Sequence, residues 1–258
     1  MTQLQGLIFD VDGTLADTER DGHRVAFNQA FAEAGLDWDW SVARYGELLR
    51  VTGGKERIRR YLSEDHPEIL EEPGIDARIR ELHAAKTRHY VALLETGSIP
   101  LRPGVRRLLD EAEAEGLRLA IATTTTPENV TALLEATLGS EGPYRFEVIS
   151  AGDVVPAKKP APDIFTHALE AMNLPAEACL ALEDSDNGVR AARGAGLEVV
   201  VTTNDYTRDQ DFDGALAVLD GFGEQDEPAT VLAGPGPGLR GPVVDVATLR
   251  AWFAGGGR

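Results

Sequence analysis

Short apolar runs recur along the chain, and most of them are separated by segments with helical periodicity. The runs cover residues 7–9, 117–122, 146–149, 180–182 and 199–201, and their length is typical of strands buried on both faces of a sheet. Between most of them, apolar side chains repeat with the spacing of one helical face. Short strands that alternate with helices predict an α/β fold with a Rossmann-like parallel sheet core and helices on both faces.

Residues 16–98 follow a different pattern. Their apolar positions repeat with helical spacing, as at Phe27 and Phe31, and no clear strand pattern interrupts them. We therefore expect an inserted α-helical cap over residues 16–98, with residues 1–15 and 99–258 forming the α/β core.

Glycine and proline are frequent near the end of the chain. Residues 231–242 predict a surface loop, and residues 255–257 predict a frayed tail. Between them, Asp245 is placed to cap a last helix that contains Leu249 and Trp252.

Composition and charge narrow the classes of function. The formal net charge of −18 disfavours binding to nucleic acid or to anionic membranes, because both require a basic surface. The sequence lacks an apolar run long enough to span a bilayer, and its start lacks the pattern expected of a signal peptide. Cys179 is the single cysteine, so an intrachain disulfide is excluded. We expect a cytoplasmic monomer that binds a small molecule. If that molecule carries phosphate, the site must supply local positive charge.

A pattern suited to phosphate chemistry, Asp10-Val11-Asp12-Gly13-Thr14, directly follows the first predicted strand. In parallel sheets, ligands bind beyond the carboxyl ends of the strands. Residues two apart in extended chain point the same way, so Asp10 and Asp12 can face one site, and Gly13 permits a sharp turn. A hard divalent cation relieves the repulsion between two carboxylates. One carboxylate can then attack phosphorus while the other transfers protons.

A calcium-binding EF-hand loop also opens with two aspartates at this spacing. That loop needs glycine at its sixth position and glutamate at its twelfth. Counted from Asp10, these positions hold Leu15 and Asp21, which excludes this type of calcium site. A simple acidic turn is the remaining alternative.

Three more polar groups follow predicted strands, in order along the chain. Thr123 is suited to hold phosphate oxygens, or it is a helix N-cap. Lys159, held before Pro160, can neutralise a phosphoryl oxygen, or it is a solvated surface lysine. Glu183 and Asp184 can complete a metal site, or they are the charged start of a helix. The position of all these groups at strand ends argues against coincidence.

Four short motifs follow one another along the chain: D-x-D-G-T, a threonine after a strand, K-P and E-D-S. In this order they resemble the four motifs of haloacid dehalogenase-type hydrolases, and the resemblance covers nearly the whole chain. The predicted helical insert is similar to the cap of the β-phosphoglucomutase and phosphoglycolate phosphatase branch. Residues 17–24, 52–57 and 122–125 resemble the CbbY subgroup. Proteins of that subgroup accompany Rubisco, and the resemblance implies hydrolysis of xylulose 1,5-bisphosphate, an inhibitory by-product of that enzyme.

The resemblance also implies a role for each acidic motif residue. Asp10 would be the nucleophile and a ligand of Mg²⁺. Asp12 would protonate the leaving oxygen, then activate water, and its backbone carbonyl would bind Mg²⁺. Asp184 would be the third protein ligand, and Glu183 would be either a ligand or a group that orients the ligands.

The remaining candidates would contact the substrate. The resemblance implies that Thr123 and Lys159 hold the transferring phosphoryl group, whose charge spreads over three oxygens. In the predicted cap, the glycines before Lys55 let backbone N–H groups approach an anion, and Lys55 adds charge. Each cap candidate also has a structural alternative, such as a flexible turn, a helix cap or a solvated side chain. The full set of candidate substrate contacts is Asp17, His23, Arg24, Thr52, Gly53, Gly54, Lys55, Lys86 and Thr124.

Several functions are compatible with these motifs. The first is a phosphatase for a small phosphosugar, with xylulose 1,5-bisphosphate to xylulose 5-phosphate as the leading reaction. A phosphosugar mutase resembling β-phosphoglucomutase would keep the aspartyl-phosphate from water. A phosphonatase would use Lys55 or Lys86 as a Schiff-base amine, and the surrounding motif fits it less well. A catalytically silent binding protein would have no need of all the motif residues.

Overall fold

In the part of the chain that the structure describes, a sheet of seven strands forms the centre. The structure, a computed structural model, describes residues 3–234, 238–239 and 241–256. The strands are β1 (Gly6–Phe9), β2 (Arg118–Thr123), β3 (Val148–Ala151), β4 (Cys179–Glu183), β5 (Glu198–Thr202), β6 (Ala217–Leu219) and β7 (Val231–Ala233). Their order is β3-β2-β1-β4-β5-β6-β7, with parallel neighbours from β3 to β6 and an antiparallel β7. The predicted α/β fold with a parallel sheet core is confirmed.

Among the described residues, the helices are α1 (Arg24–Glu33), α2 (Val42–Leu48), α3 (Gly54–Asp65), α4 (Ile75–Glu95), α5 (Val105–Ala114), α6 (Pro127–Leu138), α7 (Asp163–Met172), α8 (Asp186–Gly194) and α9 (Val246–Gly256). Helices α5, α6 and α9 cover one face of the sheet, and α7 and α8 cover the other. Successive strand residues point to opposite faces. Leu7 and Phe9 therefore pack in the cluster that contains α5, α6 and α9, whereas Ile8 packs with α7 and α8. Burial on both sides explains why the strands read as continuous apolar runs.

Helices α1 to α4 lie between β1 and β2 in the chain and share an aromatic core of their own. The ring of Trp40 lies 4.7 Å from that of Phe27 and 4.9 Å from that of Phe31. Ala16 pairs with Leu101 through an isolated bridge, so the chain leaves and re-enters the sheet region at neighbouring positions. We refer to residues 16–98 as the helical segment; its role as a separate domain stays a prediction.

The structure corrects the sequence prediction at one edge of the sheet. The predicted loop over residues 231–242 is wrong at its start, because Val231–Ala233 forms β7 against β6. Residues 235–237 and 240 lie outside the described residues. The strand β6 was not predicted, because three residues are too few to show a periodic pattern.

The last helix begins at its predicted cap. The Asp245 side chain accepts a hydrogen bond from the backbone N–H of Thr248 at 2.7 Å, which confirms the cap of α9. Gly255 and Gly256 of the predicted frayed tail are helical, and Gly257 lies outside the described residues. Within the described part of the chain, none of the helices has the length and apolar character needed to cross a membrane.

Candidate active site

Three motif residues meet because their strands are neighbours. β2, β1 and β4 lie side by side and run parallel, so their carboxyl ends share one edge of the sheet. Asp10 follows β1, Thr123 ends β2 and Glu183 ends β4. The backbone N–H of Asp10 donates to the Leu182 carbonyl at 2.9 Å and extends the pairing by one residue. The structure thereby brings these polar side chains to one place.

Lys159 lies at this edge, in the loop before α7, and is almost fully buried. Its Nζ donates to Asp10 Oδ1 at 2.7 Å, to Glu183 Oε1 at 2.6 Å and to the Ala122 carbonyl at 2.9 Å. Burial lowers the pKa of Lys159, but the two carboxylates outweigh burial and hold the pKa above its ordinary value. Lys159 therefore carries its charge beside Asp10, where it can also neutralise a phosphoryl oxygen.

Asp10, Glu183 and Asp184 form a buried acidic cluster, in which one oxygen of each lies within 4.8 Å of the others. Burial raises the pKa values of Asp10 and Asp184, and neighbouring carboxylates raise them further, although Lys159 opposes this. Carboxylates that repel one another in a dry site are the hard oxygen donors that a divalent cation binds. The residues present therefore fit a divalent metal ion.

The three carboxylates differ in how their oxygens are used. Glu183 Oε1 accepts from Lys159, and its Oε2 accepts from the backbone N–H of Asp184 at 3.0 Å. Asp184 Oδ2 accepts from Asn204 Nδ2 at 2.7 Å. Oδ2 of Asp10 and Oδ1 of Asp184 have no hydrogen-bond partner among the described residues. These two oxygens are therefore available to a metal, whereas Glu183 is engaged in holding Lys159 and its own loop.

Gly13 makes the close approach of two loops possible. Its φ is +85°, and a Cβ at this position would lie 2.2 Å from Asp184 Oδ2 and 2.5 Å from Asn204 Nδ2. A larger residue would therefore displace the Asp184 carboxylate as well as strain the backbone.

The side chain of Asp12 is surrounded by hydrogen-bond donors. Its Oδ1 accepts from Thr18 Oγ1 and lies 2.8 Å from His23 Nε2, and its Oδ2 accepts from Thr125 Oγ1. Burial raises the pKa of Asp12, but His23 and the two hydroxyl donors outweigh burial, so the pKa lies below its ordinary value. This arrangement holds Asp12 as a carboxylate, which is the form that accepts a proton.

A second buried lysine, Lys86, is linked to Asp12 through His23. Lys86 Nζ lies 2.9 Å from His23 Nδ1 and 5.1 Å from the centre of the Tyr90 ring. Because an ammonium group only donates, Nδ1 of His23 accepts, and the proton of a neutral imidazole lies on Nε2, facing Asp12. Burial lowers the pKa of Lys86 to about 8, although the Asp12 carboxylate opposes this. The structure thus brings two predicted substrate contacts, His23 and Lys86, close to Asp12.

A cavity with an empty volume of about 630 Å³, part of it open to solvent, adjoins these groups. The sheet edge lines it with Asp10, Thr123 and Lys159, and the helical segment lines it with Thr52 and Arg57. A small molecule in this cavity would therefore contact both parts of the chain.

Comparison with known proteins identifies the family. A family model described as haloacid dehalogenase-like hydrolase matches residues 4–196. The chain belongs to this family. The resemblance drawn from the motifs is therefore confirmed, and the protein is a hydrolase.

Individual members of the haloacid dehalogenase-like hydrolases are similar over nearly the whole chain. Protein CbbY of Cupriavidus necator is 49% identical over 252 residues, which cover 98% of this chain and 98% of that protein. Protein CbbY of Rhodobacter capsulatus is 54% identical over 213 residues, 83% of this chain and 91% of that protein. A crystal structure of CbbY from Rhodobacter sphaeroides in complex with xylulose 1,5-bisphosphate is 47% identical, has a TM-score of 0.78, and covers 86% of this chain and 96% of that chain.

Two further predicted substrate contacts of this haloacid dehalogenase-like hydrolase, Thr52 and Thr124, line the cavity. Thr52 Oγ1 accepts from Asn187 Nδ2 at 3.2 Å, which links the helical segment to the start of α8. Gly53 and Gly54 are tightly packed, because a Cβ at either would come within 2.5 Å of a side-chain atom. Their part in anion binding stays a prediction.

The other predicted contacts have protein partners outside the cavity lining. Asp17 Oδ1 lies 3.5 Å from Nε of the buried Arg102. Arg24 donates to two backbone carbonyls of the helical segment, at 3.0 and 3.2 Å. Lys55 forms an ion pair with Asp153 of the loop after β3. Their roles in substrate binding also stay predictions.

Sequence reasoning does not single out Glu19, Arg57, Asn204 or Tyr206, all of which line the cavity. Glu19 and Arg57 lie inside two of the stretches that resemble the CbbY subgroup, and this resemblance could have marked them as candidate site residues. Asn204 and Tyr206 lie in the loop after β5, where the sequence has no motif to mark them.

Proposed function

We propose that this hydrolase removes a phosphate group from a small phosphosugar through an aspartyl-phosphate on Asp10. The observation that carries the proposal is the environment of Asp10, which lines the cavity with Oδ1 bound to Lys159 and Oδ2 free of protein partners among the described residues. A carboxylate with one free oxygen beside a buried cation is suited to attack phosphorus, because the cation neutralises the phosphoryl oxygens.

Magnesium is the proposed metal. Asp10 and Asp184 would hold it through their free oxygens, and Asp12 would hold it through its backbone carbonyl. Glu183 would orient Lys159 and the loop rather than bind the metal, because both of its oxygens already accept hydrogen bonds. When bound, the ion neutralises charge on the carboxylates and on the phosphoryl group.

The proposed reaction has two steps on this chain's own residues. In the first, Asp10 Oδ2 forms a bond to phosphorus and the bond from phosphorus to the sugar oxygen breaks. The Asp12 carboxylate would take up a proton from the phosphate ester or from water as the substrate binds, and it passes that proton to the sugar oxygen. In the second, water attacks the same phosphorus, Asp12 takes the proton of the water, and phosphate leaves Asp10. Thr123, Thr124 and Lys159 would hold the phosphoryl oxygens throughout.

Xylulose 1,5-bisphosphate is the proposed substrate, and xylulose 5-phosphate the proposed product. The support is the 47% identity to a CbbY protein in complex with this bisphosphate and the full-length similarity to CbbY of Cupriavidus necator. The partner is thus a small phosphorylated molecule.

The helical segment is proposed to close over the site as a cap. Two contacts join it to the core beside the cavity, Thr52 with Asn187 at 3.2 Å and the ion pair of Lys55 with Asp153. Closure would keep bulk water from the reacting groups and strengthen the electrostatic interactions inside.

A phosphate-release assay tests the proposed function. The panel contains xylulose 1,5-bisphosphate, xylulose 5-phosphate, β-glucose 1-phosphate and 4-nitrophenyl phosphate, each with and without Mg²⁺. We expect inorganic phosphate from the bisphosphate with the highest kcat/KM, and only with metal. Conversion of β-glucose 1-phosphate to glucose 6-phosphate without phosphate release would show a mutase instead. Absence of phosphate release from every ester would refute the proposal.

A further inference from the structure

One side chain outside the four sequence motifs, Asn204, holds a carboxylate of the acidic cluster. Asn204 lies in the loop after β5, and its Nδ2 donates to Oδ2 of the buried Asp184 at 2.7 Å. Among the described residues, this is the only hydrogen bond of the Asp184 carboxylate. A planar carboxylate held at one oxygen presents the other oxygen in a defined direction. Asn204 thereby determines which oxygen of Asp184 is left for a metal.

The amide group of Asn204 is itself fixed in orientation. Its Oδ1 accepts a hydrogen bond from the backbone N–H of Tyr206 at 2.9 Å, which is the local turn that asparagine favours. Because the oxygen end of the amide is engaged there, the NH₂ end points the other way, toward Asp184. The backbone N–H of Asn204 also donates to Thr207 Oγ1 at 3.1 Å. The donor that meets Asp184 is therefore held in place by its own turn.

Contacts on two sides keep this turn in position. On one side, the ring of Tyr206 packs against the aromatic core of the helical segment, 6.1 Å from the ring of Tyr45. A Cβ at Gly46 would lie 3.0 Å from the Tyr206 ring, so the approach there is close. On the other side, the amide of Asn204 reaches Asp184 past Gly13, where a Cβ would lie 2.5 Å from Asn204 Nδ2. The loops after β1, β4 and β5 meet at this hydrogen bond.

We propose that Asn204 is a positioning residue for the metal site: it holds Oδ2 of Asp184 so that Oδ1 binds the divalent ion. A hydrogen-bonded ligand is already oriented before the ion binds, and such partners of metal ligands strengthen metal affinity. Asn204 itself does not bind the metal in this arrangement, because its Oδ1 is engaged by Tyr206. The inference rests on the proposed function, because it concerns the metal that the proposed reaction uses.

The variant Asn204→Ser removes the donor and keeps the turn. A serine hydroxyl can accept from the backbone N–H two residues further on, as asparagine does, but the side chain is too short to reach Asp184. Chelator-treated protein without substrate is titrated with Mn²⁺, a divalent probe whose EPR signal reports the free ion. We expect the Kd for Mn²⁺ to rise by about 10-fold or more relative to the wild type. Asn204→Thr offers the same hydroxyl and replaces Asn204→Ser if that variant folds poorly.

Thr207→Val is the matched control in the same turn. It removes the Oγ1 acceptor of the Asn204 backbone N–H, and Thr207 makes no hydrogen bond to Asp184. We expect its Kd for Mn²⁺ to stay within about twofold of the wild type, because the bond from Asn204 to Asp184 remains. Urea unfolding of both variants measures any loss of stability separately from the loss of metal affinity.

A second readout distinguishes positioning of the metal ligand from general damage to the site. Phosphate release is measured against the concentration of Mg²⁺. In Asn204→Ser, the Mg²⁺ concentration for half-maximal activity should rise by about the same factor as the Kd, whereas kcat at saturating Mg²⁺ should change less. A fall in kcat at every Mg²⁺ concentration, with an unchanged half-maximal concentration, would overturn the inference.

The outcomes separate this inference from the proposed function. If the wild type binds Mn²⁺ and Asn204→Ser binds it equally well, the Asn204 inference alone is overturned. An equal loss in Thr207→Val would assign the effect to the turn and would also overturn it. If the wild type does not bind Mn²⁺, the proposed metal site and the inference fail together. Weaker binding in Asn204→Ser alone supports the inference even if the wild type releases phosphate from none of the esters, a result that refutes only the proposed function.

Discussion

Arg102 donates a hydrogen bond from Nη1 to the backbone carbonyl of Gly13, in the loop that carries the first motif. Its Nη2 donates to the carbonyls of Thr203 at 2.6 Å and Asp220 at 2.9 Å. One buried side chain therefore joins the loops that follow β1, β5 and β6, at the edge of the sheet where the candidate site lies.

Removal of this side chain should destabilise the protein. Arg102→Met leaves several buried carbonyls without a donor, so we expect the free energy of unfolding to fall by about 2 to 5 kcal/mol. Urea unfolding measures this loss. Arg190→Met is the control, since Arg190 is exposed and pairs with Asp186 at 3.3 Å, and it should change stability by less than about 0.5 kcal/mol. Equal effects of the two substitutions would contradict the role of Arg102.

Replacement of the proposed nucleophile should abolish turnover without unfolding the protein. Asp10→Asn keeps the shape of the side chain but removes the attacking charge, so kcat should fall by at least about three powers of ten. Phosphate release and circular dichroism give the two measurements. Near-normal turnover of a folded Asp10→Asn protein would exclude the aspartyl-phosphate.

Activity should depend on the identity of the metal. Excess chelator should abolish phosphate release, and Mg²⁺ should restore it. Ca²⁺ should not, because its larger and looser coordination would misplace Asp10 relative to the phosphate. Full activity in chelator would show that the acidic cluster of Asp10, Glu183 and Asp184 serves another purpose.

Stability should fall in mild acid because of His83 on α4. Burial, together with the nearby Lys86 and Lys55, lowers the pKa of His83 from 6.5 to about 3. Between these values the unfolded chain binds a proton that the folded protein does not, so the stabilisation is present above pH 6.5 and is lost as the pH falls toward 3.

The variant His83→Gln tests this pH dependence. His83 alone contributes a slope of up to about 1.4 kcal/mol per pH unit to the free energy of unfolding. Denaturant unfolding at several pH values between about 7 and 4 should therefore give a shallower slope in the variant than in the wild type. An identical slope in both proteins would show that His83 does not carry the effect.

Much of the candidate site could be predicted from the sequence, because its parts follow short buried strands. Asp10, Thr123 and Glu183 lie at the ends of β1, β2 and β4, and each strand is visible as an apolar run. Parallel neighbours place their carboxyl ends at one edge, so the order of motifs predicts a common location. β7 could not be predicted, because three residues with Gly and Pro nearby carry no period.

The sequence by itself determined the α/β fold, the family and the types of residue at the reacting centre, since apolar periodicity and short motifs are local in the chain. Only the tertiary structure decided which polar atoms have a hydrogen-bond or ion-pair partner and which lack one among the described residues. Lys55 and Arg57 are similar cations two residues apart. Lys55 pairs with Asp153, 98 residues further along the chain, whereas Arg57 lines the cavity and its Nε has no hydrogen-bond partner among the described residues. Such pairings arise from contacts between distant segments, and those contacts leave no periodic pattern in the sequence.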